Sequence, residues 1–177
     1  NWCPKSRSAI SDEEVIHKEV KGKLWYLKYP IIDSDQYLTV ATTRPETMLG
    51  DSAVAVNPRD KRFKKYIGSS IILPLTNREI PIISDDFVDP EFGTGCVKVT
   101  PAHDPNDFAM GERHDLKFIN IMNDDASLNK NVPKKYEGMS REKARHTIVD
   151  DINALGLLEK IEDYTNKVGF SERGDVP

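Results

Sequence analysis

Short strands broken by closely spaced turns, with only two stretches of helical pattern, predict an α+β fold: a β-barrel-like mixed sheet core decorated with helices. Three observations carry that prediction. Runs rich in β-branched and aromatic residues recur at Tyr37–Thr43, Ala53–Val56, 70–73, 79–84 and 96–100. Asp104-Pro105 reads as the start of a helix over 105–114, an N-cap carboxylate followed by a proline at the first helical position. Ser140 caps a second helix whose Ala144, Ile148, Ile152 and Leu155 share one stripe and which Gly156 ends.

The elements follow in order. Residues 14–32 carry a mixed run, Glu14–Val20 and then Leu24–Tyr29, of which the second half reads as strand, and the break at Lys21-Gly22-Lys23 suits a bend or hairpin. Asp33-Ser34-Asp35 is a turn into the strand Tyr37–Thr43, and Pro45–Gly50 makes one helical turn before Ala53–Val56. The charged segment 59–66 is expected to be helical, strands near 70–73 and 79–84 follow, and after the helix 105–114 comes a strand at 118–122. A last strand is expected around Val168-Gly169-Phe170.

The chain has 177 residues, 38% hydrophobic and 31% charged, which is the size and composition of one soluble globular domain. Its apolar runs are too short to span a membrane, and Asn1-Trp2-Cys3-Pro4 resembles no signal peptide. No Met starts the chain and Ser171–Pro177 reads as unfinished, so residues 1–177 are expected to be a single domain cut from a longer protein. Cys3 and Cys96 stand far apart with no CxxC pattern, which points to reduced thiols in the cytoplasm rather than a disulfide or zinc. A net charge of -4 excludes a nucleic-acid binder working by bulk charge, while Arg59–Lys65, Lys130 with Lys134 and Lys135, and Arg141–His146 remain local patches able to touch phosphates.

The chemistry concentrates in Gly93–Phe108. Two turn glycines lead into a strand on which Cys96, Lys98 and Thr100 share one face, because side chains alternate with period two. Pro101 ends that strand, and the helix then presents Asp104 and Asp107 on its first turn. Capping accounts for Asp104. Asp107 either returns a capping-box bond or faces a cationic ligand group such as an ammonium.

Thr42-Thr43-Arg44-Pro45-Glu46-Thr47 forms a second candidate wall. Pro45 keeps Arg44 out of the helical region, leaving the amides of Glu46, Thr47 and Met48 free to hold an oxygen-rich group. No GxSxG, HExxH, P-loop or GxGxxG occurs. His103 has no serine or cysteine partner, and His103, Asp104 and Asp107 match no metal-ligand spacing, so neither metal nor cofactor is expected.

These residues resemble the editing insertion, connective polypeptide 1, of the class Ia aminoacyl-tRNA synthetases, and within them most closely the valyl-tRNA synthetase family. The resemblance covers essentially the whole chain and rests on Ala41–Asp51 with Ala53–Pro58, on Gly93–Phe108, and on Ile121-Met122-Asn123-Asp124. The isoleucyl enzymes are similar but usually carry tryptophan where Glu46 stands, and the leucyl enzymes share the Thr-Thr-Arg-Pro run. Lys98–Pro105 tips the comparison to valyl. The HIGH and KMSKS signatures of amino-acid activation are absent.

The resemblance implies hydrolysis of threonine wrongly attached to tRNA(Val), and of threonyl-adenylate as a second substrate. A pocket shaped for valine cannot strongly reject an isostere that exchanges methyl for hydroxyl, so a second sieve must read the hydroxyl. Implied partners are the tRNA(Val) acceptor end, the threonine moiety and the remainder of the synthetase chain, with no membrane. Asp107 would pair with the α-ammonium; Asp104, with Lys98 and Thr100, would line the side-chain pocket, Asp104 accepting the threonine hydroxyl; Thr42, Thr43, Arg44 and Thr47 would hold the terminal adenosine and the ester; and Glu46 and His103 complete the substrate-binding residues. Phe92 offers an aromatic face to the adenine. Water is the nucleophile and catalysis is mainly positioning, with Asp107, Thr42 and Thr43 as the catalytic set. Three alternatives stand beside this: a non-catalytic module that docks the acceptor end, the editing domain of an isoleucyl- or leucyl-tRNA synthetase, and a metal-dependent esterase using His103, Asp104 and Asp107.

Overall fold

A computed structural model describes residues 1–177. Its strands are β1 (Trp2–Cys3), β2 (Ser8–Ala9), β3 (Val15–Pro30), β4 (Tyr37–Thr42), β5 (Ala53–Val56), β6 (Ser70–Leu73), β7 (Arg78–Ser84), β8 (Cys96–Val99) and β9 (Leu158–Ser171), with helices α1 (Pro105–Arg113) and α2 (Arg141–Ala154). They build a small hairpin of β1 and β2, a three-stranded sheet ordered β4-β3-β9, and a four-stranded sheet ordered β6-β7-β5-β8. The second sheet is mixed: β5 runs parallel to β7 and antiparallel to β8. The α+β class and the decorated mixed sheet are as the sequence predicts, but the sheets do not close into a barrel. A bridge between Ile31 and Ile71, and the Thr94 hydroxyl donating 2.5 Å to the Thr39 carbonyl, join one sheet to the other.

Strand β5 explains why this sheet is central. All four of its residues are buried: Val54 and Val56 enter the main core with Leu27, Leu38 and Ile82, while Ala53 and Ala55 face a smaller cluster with Val88, Val99 and Met110. Alternation on one short strand thus fills two layers. Helix α2 contributes Ala144, Ile148 and Ile152, all fully buried, and each isoleucine there contributes roughly 1.5–3 kcal/mol of hydrophobic stabilisation. Ser140 caps it by accepting from the Lys143 amide at 3.2 Å, and Gly156 takes the left-handed φ of 71° that ends it. Leu155, placed on the apolar stripe by spacing, is 58% exposed at the C-cap.

Three elements differ from expectation. Gly22 does not break the first strand, because β3 runs unbroken through it, paired with β9 from Val15 opposite Ser171 to Leu27 opposite Leu158. The irregularity lies at Tyr26/Leu27 instead, and β9 is correspondingly much longer than the segment expected around 168–170. Continuous pairing with a distant strand outweighs the local flexibility of one glycine. Residues 118–122 form no strand; amide side chains hold them instead, Asn129 Nδ2 and Asn131 Nδ2 both donating to the Asn120 carbonyl at 3.0 and 2.8 Å. The charged stretch 59–66 yields turns and a short 3-10 segment at Lys64–Tyr66 rather than a regular helix.

No helix is long and apolar enough to cross a membrane. Cys3 and Cys96 are both buried and unpaired, and burial pushes the Cys96 thiol up to about 12.

Candidate active site

A groove runs between the N-terminal end of α1 and the ribbon of β3 and β9. Two connected cavities of about 760 and 690 Å³ make it up. Arg44, Asp104, Pro105, Arg141 and Phe170 border both; His103 and Phe108 line only the first, and Thr43, Glu46 and Arg145 only the second. The sequence elements Thr42–Thr47 and His103–Asp107 are therefore neighbours in space.

Helix α1 starts as its sequence demands. Asp104 Oδ1 accepts from the amides of Asn106 at 2.8 Å and Asp107 at 3.2 Å, with Pro105 at the first position. Gly111 lets the helix lie against the end of β8, since a Cβ there would stand 2.8 Å from the Pro101 ring. Asp107 returns no capping-box bond to residue 104. Its Oδ2 accepts from the Thr100 amide at 2.8 Å, whereas Oδ1 takes no hydrogen bond from the chain and reaches solvent. Burial pushes this carboxyl up to about 6, against the opposing pull of Lys98 and the Thr100 amide, while Asp104 and Asp51 push it the same way as burial. Asp107 is not part of the lining of either large cavity; it lies one turn in from Asp104.

On the facing wall Arg44 stands at φ −131° and ψ 67°, outside the helical region as the following proline requires. Its Nη1 donates to the His103 carbonyl at 2.8 Å, which ties the two walls together. Thr42 Oγ1 accepts from the Arg44 amide at 3.0 Å. The amides at the start of the 3-10 turn Pro45–Gly50 are not all free: that of Thr47 donates to the Arg44 carbonyl at 3.1 Å, and the Thr47 hydroxyl donates to the same carbonyl at 2.9 Å. Glu46 is fully buried and gripped by Arg145, Nε to Oε2 at 2.9 Å and Nη2 to Oε1 at 2.8 Å. That bidentate pair pins the turn to α2, so Glu46 holds the wall rather than reaching outward.

His103 lines the groove as a neutral side chain. Burial, followed by the charges of Arg44 and Lys98, pushes its imidazole down to about 4, and its Nε2 accepts from the Ile121 amide at 3.0 Å, which leaves the proton on Nδ1. With that nitrogen occupied and the Asp104 carboxylate capping α1, the residues His103, Asp104 and Asp107 are not gathered as metal ligands.

Lys98 and Thr100 do share a face of β8, but that face turns inward. Lys98 is 8% exposed and Thr100 1%, and both bind the fully buried Asp51. Lys98 Nζ donates to Asp51 Oδ1 at 2.9 Å and also to the Thr100 hydroxyl; that hydroxyl donates to the same Oδ1 at 2.7 Å, and the Tyr29 hydroxyl donates to Oδ2 at 2.7 Å. Neither side chain borders the groove. Phe92 is 62% exposed and stands apart from the groove as well. The sequence reading assigned no role to Asp51; the only local hint is an acid directly after a buried turn, whose partners lie on β3 and β8 and cannot be read from spacing.

The family described as "Leucyl-tRNA synthetase, editing domain" matches residues 61–164. The chain is 58% identical over 176 residues to the valine–tRNA ligase of Thermotoga maritima, covering 99% of this chain and 20% of the ligase. To the valine–tRNA ligase of Synechocystis sp. it is 59% identical over 177 residues, covering 100% of this chain and 19% of the ligase. It thus spans about a fifth of the length of these curated relatives. Among solved structures, the Agrobacterium radiobacter LeuRS, in a ternary complex with tRNA and LeuAMS, superposes with a TM-score of 0.62 at 18% identity, over 85% of this chain and 20% of that one. GlLeuRS-CP1 superposes with a TM-score of 0.60 at 14% identity, over 80% and 99% of the two chains. The fold is therefore that of the leucyl editing domain, and the sequence sits nearer the valine ligases. The chain belongs to the editing-domain family of the class I aminoacyl-tRNA synthetases.

Proposed function

We propose that this chain is the post-transfer editing site of a valine–tRNA ligase and hydrolyses threonine from mischarged tRNA(Val). The observation that carries the reading is the Asp107 carboxylate: one oxygen fixed by the Thr100 amide, the other open to solvent, one helical turn from the groove-lining Asp104. A half-satisfied acid held on a helix is suited to an α-ammonium, which supplies a charge-assisted partner. Asp104 accepts the threonine hydroxyl with the oxygen not used in capping. Valine offers no donor there, and binding it would leave the acid desolvated and unpaired. Thr43 and Arg44, which line the groove, hold the terminal adenosine and the ester, with Thr42 and Thr47 fixing the Arg44 backbone behind them. Lys98 and Thr100 set the electrostatics beneath. Water attacks the ester carbonyl, the bond from that carbon to the ribose oxygen breaks, and the water's proton ends on the departing ribose oxygen, directly or relayed through solvent or the neighbouring ribose hydroxyl, so that threonine and free tRNA leave and the protein contributes chiefly by alignment. The acceptor end of tRNA(Val) and the rest of the synthetase are the partners.

The decisive test is deacylation of threonyl-tRNA(Val) by the full-length ligase carrying Asp107→Ala. Loss of deacylation with aminoacylation intact supports the reading; deacylation at the parent rate removes Asp107 from it. Calorimetry with threonyl- and valyl-adenosine analogues complements this: preference for the threonyl form is expected, and equal binding would make the domain a docking module only.

A further inference from the structure

The second of the two groove cavities is cationic, in a chain whose net charge is -4. Lys23, Arg44, Arg141, Arg145 and Lys167 border it, against Glu46, Asp104 and Glu142. Those acids are already engaged: Glu46 is held bidentately by Arg145, Asp104 caps α1, and Glu142 accepts from Arg141 Nε at 2.9 Å. Two guanidinium groups keep an open end. Arg141 commits Nε to Glu142 and Nη1 to the Pro177 carbonyl at 2.8 Å, and Arg44 commits Nη1 to the His103 carbonyl, so the Nη2 of each has no partner in the protein and reaches solvent. Burial lowers the Arg44 guanidinium below its ordinary value, and the like charges of Arg141 and Arg145 act the same way, against Glu46 and Asp104. Three arginines thus lie in one field, and an anion in the groove relieves their repulsion.

We propose that Arg141 and Arg44 bind the phosphodiester joining the terminal adenosine of the tRNA to the nucleotide before it, with Lys167 on β9 as a third cation for the same strand. This deepens the reading above and rests on it. A guanidinium fork suits phosphate because it offers parallel N–H donors and stays charged at every working pH. The first cavity favours a nucleotide strand over an acidic peptide. Phe170 borders both cavities, and Trp2 and Phe108, 47% and 46% exposed, border the first, so aromatic faces for unpaired bases continue directly from the cationic stretch. The Trp2 ring is held in place, its Nε1 donating to the Asp124 carbonyl at 2.8 Å. A phosphate contact positions the strand without reading its sequence, and it leaves the choice between threonine and valine to Asp104.

The test uses the full-length ligase with Arg141→Gln. Its kcat/KM for threonyl-tRNA(Val) deacylation is expected to fall roughly 10-fold, and the slope of log kcat/KM against log salt to become shallower by about 0.7, the share of one phosphate on a single strand. Calorimetry with the threonyl-adenosine analogue, which carries no phosphate, is expected to give the parent affinity. Arg141→Lys keeps the charge and is expected to keep the salt slope. Unchanged kcat/KM and slope for Arg141→Gln, in a ligase that Asp107→Ala disables, would overturn the proposal and leave the editing reading standing. An equal loss of affinity for the analogue would also overturn it, by making Arg141 a support of the adenosine pocket. If Asp107→Ala deacylates normally, the editing reading fails and the proposal goes with it. Should Arg141→Gln not fold, Lys167→Gln, at an exposed position on β9, is expected to lower kcat/KM about 3-fold with a shallower slope, and no change in either would overturn the proposal.

Discussion

Asp51 and Asp107 lie at the two ends of one hydrogen-bond chain through Thr100, and the protein treats them in opposite ways. Asp51 receives three side-chain hydrogen bonds and no solvent. Asp107 receives a single backbone amide and keeps an oxygen open. Burial acts on both in the same direction, raising the carboxyl, yet only the inner one has a lysine in direct contact to answer it. The contrast separates a carboxylate built into the fold from one left available to a ligand. Desolvation alone does not mark a site; desolvation with an unanswered oxygen does.

The strongest way to break the contrast is to remove the inner acid. Asp51→Ala leaves the Lys98 ammonium buried and unpaired and the Tyr29 and Thr100 hydroxyls without their acceptor, and is expected to destabilise the fold by about 3–5 kcal/mol in urea unfolding. A loss below about 1 kcal/mol would mean that water or another acid takes over the pairing. Next comes Arg145→Ala, which leaves the buried Glu46 only its 3.8 Å contact with Arg44 and is expected to cost about 3 kcal/mol, less if the vacated space admits water, since Arg145 itself is 32% exposed. Asp104→Ala should cost only about 1 kcal/mol through the lost cap of α1, while in a ligand assay it should erase the preference for the threonyl over the valyl analogue.

The remaining effect has the opposite sign. For Asp107 the folded-state value near 6 lies above the ordinary 3.8, so its contribution to stability is fully present below 3.8 and lost as pH rises through about 6. Asp107→Asn, which can still accept from the Thr100 amide, should therefore melt at a higher temperature than the parent at pH 7.5, and the gap should close by pH 4. Equal melting temperatures at pH 7.5 would mean that the carboxylate carries no such strain, and the distinction between the two acids would lose its energetic side. Higher stability with lost editing would identify Asp107 as a group kept for its chemistry.

Much of this was legible locally. Asp104-Pro105 and Ser140 announce their helices because capping is short-range chemistry, and period-two alternation correctly put Lys98 and Thr100 side by side. Alternation cannot say which face is covered. That depends on Asp51, which arrives from a turn 47 residues earlier in the chain, and the consequence is that two side chains expected at a pocket are sealed beneath it. Gly22 misled for a similar reason: its neighbours look like a break until β9, from the far end of the chain, lies alongside. Glu46 does border the groove, but its carboxylate is taken by Arg145, a partner on α2 that stands 99 residues away and that spacing does not reveal.

The pairing of β3 carries a consequence for biosynthesis. Strand β4 covers β3 only from Trp25 to Pro30, so Val15 to Leu24 finds its neighbour solely in β9. A ribosome making the chain in order displays that stretch as a naked edge until Leu158–Ser171 has emerged, and such edges invite association between nascent chains. The lysines at 18, 21 and 23, and Glu19 among them, discourage it, since a charged edge is a poor template for another strand.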